Sequence, residues 1–488
     1  MQPFERAPVL VVLAGAVAAI FWQRHRVMDC LRRFFTAEAH PTNLAVFRVV
    51  FFGAVLLRVW EADPVGGARA VGELPPALME PPQVMGWVIP RLPLGDAAIT
   101  VAGLALIGGA IAGLLGVAAR AGALACAVAM TYLMAAPNYF WKVNHDHQHL
   151  VWFALILAAA PAADALSIRR ARQMAMARRR GGPAPPLAEG RRYALPLRMT
   201  WLVLGSIYLF AGIGKLQVGW DWFTAENLRH FLWLHWAGSD WVPGIRVDQW
   251  DGVLAAAAVA TVVVELGFLP AMFLPRARLV FAVLGTGFHL VVRWLLRISH
   301  FWTLQVAYVT FVDWHGLARR TRPGAGAPAV AGRTGPDRLA VLAPATALVA
   351  VAVFLAGALG LERGWPVARY PTFGYLPGDT TSELVFDVAY GDGRTEELRA
   401  ARLVRAIGAA RYQLLTLRAM AQSEEAERTR RLRAIWAVAA PAEGFGEIRE
   451  VDVYQVRRWS DPDRRAGPPR RVRIAVFRPG AGLEETGG

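Results

Sequence analysis

The sequence predicts an α-helical polytopic membrane protein of about nine or ten transmembrane helices with a small C-terminal extracytoplasmic α+β domain. Three observations predict it. The 488 residues are 55% hydrophobic with a mean hydropathy of +0.34, which a soluble chain of this length rarely reaches. The apolar residues fall in runs of about 15 to 24, the length that crosses a hydrocarbon core of roughly 30 Å. The basic residues, which bring the net charge to +16, sit in short clusters between those runs, as in cytoplasmic loops. That pattern names membrane lipid as the partner and excludes nucleic acid. Cys30 and Cys126 are the only cysteines, so neither a disulfide framework nor a cysteine metal site is available.

In chain order the expected spans are Pro8–Trp22, Asn43–Trp60, Asp96–Ala119, Ala121–Trp141, His149–Ala165, Leu197–Ile213, Gly252–Leu274, Leu279–Leu296, Phe301–Trp314 and Leu339–Gly360. The first has one preceding base, Arg6, and is followed by "WQRHRVMDCLRR", so it reads as an anchor rather than a cleaved secretory signal. Counting spans places the arginine-rich connections 23–33, 168–198 and 315–338 on one face, with Arg120 and Arg276–Arg278. The connections at 61–95 and 214–251 fall on the other face and are poorer in bases. The positive-inside rule then makes the arginine-rich face cytoplasmic. This divides the chain into an N-terminal anchor and basic loop (1–33), a transmembrane domain (34–361) and an outward-facing domain (362–488). In the last, Glu383–Tyr390 alternates as a strand and ends in the turn signal "GDGR". Leu398–Ala440 has helical apolar spacing, and Ile448–Val456 and Arg471–Phe477 read as further strands.

Of 53 basic residues only Lys142 and Lys215 are lysines. Arginine stays charged, whereas a lysine in a dry site can lose its proton and act as a base. Both lysines lie at predicted outer ends of spans. Lys142 belongs to "FWKVNHDHQHLVWF", with Asn144, His145, Asp146, His147 and His149. So many polar groups at a membrane boundary are costly unless they face a cavity or one another. Histidine there suits proton transfer or stabilisation of a developing anion. His145 and His149, four residues apart, share a helix face and with Asp146 make two or three metal ligands, short of a full set; a wetted, inert interfacial loop accounts for the same residues.

Lys215 belongs to "YLFAGIGKLQVGWDWF", in which Ala211, Gly212 and Gly214 permit close approach of another helix or a ligand, and Trp220 and Trp222 follow. A snorkelling lysine with an aromatic belt is the bland alternative. Glu265 in "TVVVELGFLP" and His289 in "GTGFHLVVRW" are ionisable groups inside apolar spans, where such groups face a bundle interior or a wet cavity. There is no phosphate-binding loop, dinucleotide fingerprint, HExxH or GxSxG.

Together these segments, with "NLAVFRVVFFGAVLL" before them, resemble the membrane region shared by vitamin K-dependent gamma-carboxylases and their bacterial relatives, the HTTM family. The resemblance covers roughly Phe34 to Trp314, and "AGIGKLQVGW" is its most specific part. In the carboxylases the lysine of that element is regarded as the base that deprotonates the reduced quinone. With oxygen this leads to removal of a glutamate proton and addition of carbon dioxide. The resemblance therefore implies a reduced quinone of the vitamin K or menaquinone type, with O2 and CO2 as co-substrates, no metal, and Lys215 as base. It assigns the assisting histidine to His145 if Asn144–His145 is the match, or to His147 if the downstream "ALS" end sets the register; His289 matches the family's "FH" histidine. Asn144, His149, Trp220, Trp222 and Glu265 are expected around the substrate and quinone. The C-terminal third carries no resemblance, and the cysteine pair of animal carboxylases is missing.

The function expected is quinol-linked modification, by carboxylation or a related step, of glutamate in an exported peptide or protein at a bacterial inner membrane. It is a lyase of the carboxylase type. Two other classes compete: a non-catalytic scaffold or maturation partner whose outer domain binds a peptide or a second subunit, and a transporter. A transporter favours two similar halves with interrupted helices, and no such pairing is present.

Overall fold

The computed structural model describes residues 11, 14, 15, 18, 19, 21–81, 95–140, 147–183, 186–321, 342–358, 373, 375–422, 424–440, 447–478 and 482–484. The helices are α1 (Arg24–Thr36), α2 (Pro41–Ala62), α3 (Pro64–Gly72), α4 (Asp96–Leu115), α5 (Ala119–Leu133), α6 (Gln148–Ala159), α7 (Ile168–Arg179), α8 (Arg191–Leu216), α9 (Ala225–Gly238), α10 (Asp251–Ala271), α11 (Pro275–Leu296), α12 (Trp302–Gln305), α13 (Trp314–Thr321) and α14 (Leu342–Ala358). Among the described residues six helical segments are long and apolar enough to cross a membrane, one of them running on from α5 through the 3-10 turn Ala136–Tyr139. The protein is a membrane protein on that ground.

The difference from nine or ten expected spans has local causes. The span at 149–165 stops at Ala159, because Ala160 precedes Pro161 and is driven into extended backbone. Phe301–Trp314 folds as the single turn α12 followed by the 3-10 segment Val306–Phe311, in which Thr310 donates back to the Ala307 carbonyl. The last span is α14, of 17 residues. Most of Pro8–Trp22 lies outside the described residues.

Small residues set how closely the helices approach. A Cβ on Gly109 would meet the Gly122 carbonyl at 2.8 Å, and one on Gly205 would meet Leu269 Cα at 2.9 Å, so the pairs α4–α5 and α8–α10 pack nearly backbone to backbone. Arg48, fully buried in α2, donates to four carbonyls: Leu114 at the end of α4, and Ala162, Ala165 and Leu166 in the turn after α6. It thus satisfies the carbonyls that a helix end and a tight turn leave over. Gly116, at φ +66°, closes α4 where a Cβ would strike Arg48 Nη1 at 2.5 Å.

The two ends of the bundle differ chemically. One carries the exposed basic helices α1, α7 and α13. At that end His40 caps α2, its Nδ1 accepting from Thr42 N, and stacks on His315 at 3.6 Å between ring centres. Burial, and then the neighbouring His315, lower its pKa to about 4. A histidine depressed in the folded state stabilises above its ordinary value near 6.5, and that stability is lost as pH falls towards 4. Melting in detergent should therefore fall over this window. His40→Asn, which caps a helix but does not titrate, should flatten the curve; an unchanged slope would remove His40 as the cause.

The other end carries the C-terminal domain. Its sheet has the order β2-β1-β3-β4-β5, all antiparallel, from β1 (Thr380–Tyr390), β2 (Thr395–Arg399), β3 (Ile448–Trp459), β4 (Arg470–Arg478) and β5 (Gly482–Glu484). The "GDGR" turn joins β1 to β2, with Gly393 at φ +86° and Asp392 accepting from Arg394 N. Three helices, α15 (Ala401–Ile407), α16 (Ala409–Met420) and α17 (Glu425–Ala439), cover one face of the sheet. Leu403, Ile407, Leu415, Leu432 and Ile435 are buried there, and Trp436 packs on Phe386. The stretch Leu398–Ala440, expected to be largely helical, is the end of edge strand β2 followed by these three helices. Arg402–Glu73, Arg411–Asn138 and the two-pronged Arg246–Asp463 contact join this domain to the end of the bundle opposite the basic helices.

Candidate active site

Helix α8 crosses the whole bundle, and its final turn places Lys215 inside the protein rather than at its surface. The side chain is 1% exposed. Gly212, one turn earlier, lets α10 approach so closely that a Cβ would meet Glu265 Cβ at 3.2 Å and Leu266 Cδ2 at 2.9 Å. That approach brings Glu265 to Lys215, with Nζ to Oε1 at 2.8 Å, in a pair sealed from solvent. Glu265 Oε2 makes no hydrogen bond among the described residues. Trp222 covers the amine, its ring centre 5.5 Å from Nζ. The indole is itself buried, and its N–H donates to the Phe373 carbonyl at 2.8 Å. Asn227 donates to the Trp222 carbonyl, fixing the 3-10 turn that carries the indole.

Two helical turns before Lys215, on the same face of α8, lies Tyr208. Its hydroxyl is 2.6 Å from His289 Nε2 and 2.7 Å from the Tyr308 hydroxyl. Its ring stacks on Phe268, one turn after Glu265 on α10, with centres 4.0 Å apart. His289 stacks on Phe301, beside His300, whose ring lies 5.9 Å from that of His147. His147 Nε2 accepts from Arg58 Nε at 2.7 Å, which places the ring's own proton on Nδ1. Beside the Lys215–Glu265 pair, a second set of groups runs from Tyr308 and Tyr208 to His289 and, past Phe301, to His300 and His147.

Of the residues expected at the site, the structure brings together Lys215, Glu265 and Trp222; His289 is bonded instead to Tyr208, two turns before Lys215 on α8. Glu265, expected to line a ligand site, is the ion-pair partner of Lys215. His149 stands apart from the pair: its Nε2 lies 2.9 Å from Thr303 Oγ1, whose own proton goes to the His300 carbonyl, so the imidazole is the donor. Trp220 is 54% exposed and faces outward. Lys142, Asn144 and His145 lie outside the described residues, as does Asp146. Sequence reasoning missed Tyr208, Tyr308, His300 and Arg58. The seven-residue interval between Tyr208 and Lys215 was the signal available for the first. Tyr308 and Arg58 meet the site only through partners 100 and 89 residues away in sequence, which no spacing reveals; His300 stands beside Phe301, which stacks on His289.

Chemically, an amine, a carboxylate, two phenols and an imidazole stand among Phe268, Phe301 and Trp222.

Neither the curated proteins nor the solved structures include a match to this chain. Residues 36–314, which hold every group of the site except the Phe373 carbonyl, match the HTTM domain model, and the chain belongs to the HTTM family.

Proposed function

We propose that this protein is a quinol-dependent membrane enzyme that modifies glutamate in an exported peptide or protein, by carboxylation or a related step, with Lys215 as the base. HTTM domains are associated with vitamin K-dependent carboxylase-like proteins. The observation that carries the proposal is the burial of the Lys215–Glu265 pair inside the membrane bundle, Lys215 lying in the element of the sequence most specific to those enzymes. A purely structural ion pair in such a place stabilises little, because the cost of drying two charges offsets their attraction.

The reduced quinone, when bound, supplies the acidic hydroxyl and the reducing power for oxygen. Lys215 acts in its neutral form, the proton of the pair resting on Glu265 before the step, and takes up the proton of the ring hydroxyl; the ammonium it becomes lies 2.8 Å from Glu265 Oε1. Trp222 keeps water from the amine, so the proton is not exchanged with solvent during the step. Tyr208, Tyr308 and His289 supply hydrogen bonds that orient an oxygen of the ring. His147, or His145, assists. The arginine-rich end is read as cytoplasmic by the positive-inside rule, which sets the sheet domain outside a bacterial inner membrane, where an exported substrate is met.

The test is mass spectrometry of a candidate peptide co-expressed with the full chain and supplied with reduced quinone, oxygen and bicarbonate. A glutamate that gains the mass of one carbon dioxide, only when the quinone is reduced, supports the proposal. A quinone that fails to co-purify, together with an unmodified peptide and a functional Lys215→Ala variant, would sink it in favour of a scaffold.

A further inference from the structure

At the end of the bundle opposite Lys215, a groove of about 260 Å³ opens between helix α7 and the turn that joins α4 to α5. Sites that enclose a whole small molecule usually run to about 300–1,000 Å³, so this one takes hold of part of a ligand. Val117 lines it from the turn, and Ile168, Arg169, Arg172, Gln173 and Met176 line it from α7. Arg169, Arg172 and Met176, spaced by three and four residues, share one face of the helix. That face does not pack into the bundle, for α7 buries no residue. Val117, Ile168 and Met176 are 51%, 36% and 56% exposed, so the groove presents apolar surface beside its two arginines.

The surroundings indicate what covers that surface. Span α4 ends at Leu115, so the turn at Val117 stands where the hydrocarbon of a bilayer gives way to head groups. The same hairpin exposes Ile111 and Leu115 on α4 and Leu124 and Val128 on α5, apolar side chains of two spans that lipid tails cover. Arg169 has a loose counter-ion: its Nη2 is 3.9 Å from Asp164 Oδ1. That carboxylate is shared, because its other oxygen accepts from the Tyr193 hydroxyl at 2.8 Å and from Arg192 at 3.4 Å. One acid therefore serves Arg169 and Arg192 together, and with Arg172 the groove carries net positive charge.

We propose that this groove holds one phospholipid with an anionic head group, its phosphate on Arg169 and Arg172 and the start of an acyl chain over Val117, Ile168 and Met176. Guanidinium groups bind phosphate through paired hydrogen bonds. An anionic head brings no cation of its own towards the arginines, as phosphatidylcholine does. The acyl chain takes the three apolar side chains from water, which a soluble phosphate would leave wet.

The test titrates the full chain in detergent with phosphatidylglycerol and follows the first bound lipid by native mass spectrometry. Phosphatidylglycerol should bind at lower concentration than phosphatidylcholine with the same chains. Arg169 and Arg172 are exposed, so Arg169→Gln with Arg172→Gln keeps the fold; it should lower affinity for the first phosphatidylglycerol about 25-fold, about fivefold for each arginine. Arg178→Gln with Arg179→Gln removes the same charge from the same helix outside the groove, and should change that affinity by less than about twofold. Equal losses in the two double variants would make the attraction a property of the whole helix, and equally tight phosphatidylcholine would remove charge from the account; either overturns the proposal. So does displacement of the lipid by glycerophosphoglycerol, its deacylated head, at the concentration where phosphatidylglycerol itself binds, for the site then takes a free anion. An acidic peptide that displaces the lipid at still lower concentration overturns it too, because the face then belongs to a partner protein.

Discussion

Replacing Lys215 by arginine is expected to lower turnover by about 100- to 10,000-fold, the usual worth of a general base, while the fold survives. Arginine keeps a cation opposite Glu265 but does not surrender its proton in a protein. Melting in detergent should stay close to the wild type, and peptide affinity should change little. Lys215→Met acts differently. It strands a carboxylate that is 5% exposed, and breaking one side of a buried pair costs roughly 3–5 kcal/mol. Adding Glu265→Gln should recover much of that stability and none of the turnover. A Lys215→Arg variant with wild-type rate constants would dismiss the amine as the base, whatever the status of the ion pair.

The second large effect is on stability alone. Arg48→Met should cost roughly 3 kcal/mol or more, because four carbonyls lose a charged donor in the dry interior. Arg48→Lys should recover only part of the loss. One ammonium cannot span from the end of α4 to the turn after α6 as the guanidinium fork does. Thermal unfolding in detergent, followed by circular dichroism, reads the difference. A loss below about 1 kcal/mol would show that water reaches and satisfies those carbonyls.

Much of the bundle was legible from hydropathy. Six expected spans recur with boundaries shifted by a few residues, because a run of apolar residues long enough to cross a bilayer has few other ways to satisfy its backbone. Hydropathy failed where the run is apolar but the backbone leaves the α-helix: at Pro161, and between Trp302 and Phe311, where threonine hydroxyls compete for carbonyls. In the C-terminal domain the alternating strands β1, β3 and β4 were readable. The charged edge strand β2, "TEELR", has no apolar face to announce it.

At the site, the scarcity of lysine singled out Lys215, and the cost of an acid in a membrane singled out Glu265. That the two are one pair was not readable, since 50 residues separate them and only the packing at Gly212 joins them. The His/Asp motif promised more convergence than the described residues deliver: His147 faces the sheet domain and His149 is engaged with Thr303.

The bond from the Trp222 indole to the Phe373 carbonyl bears on how such proteins are dissected. Phe373 lies beyond the last membrane helix and beyond the family match, so a fragment trimmed to residues 36–314 loses the latch that shuts the aromatic door over the amine. Inactivity of that fragment would speak to a leaking chamber as readily as to a missing cargo domain. Swapping only the sheet domain while retaining residue 373 and its approach would separate the two.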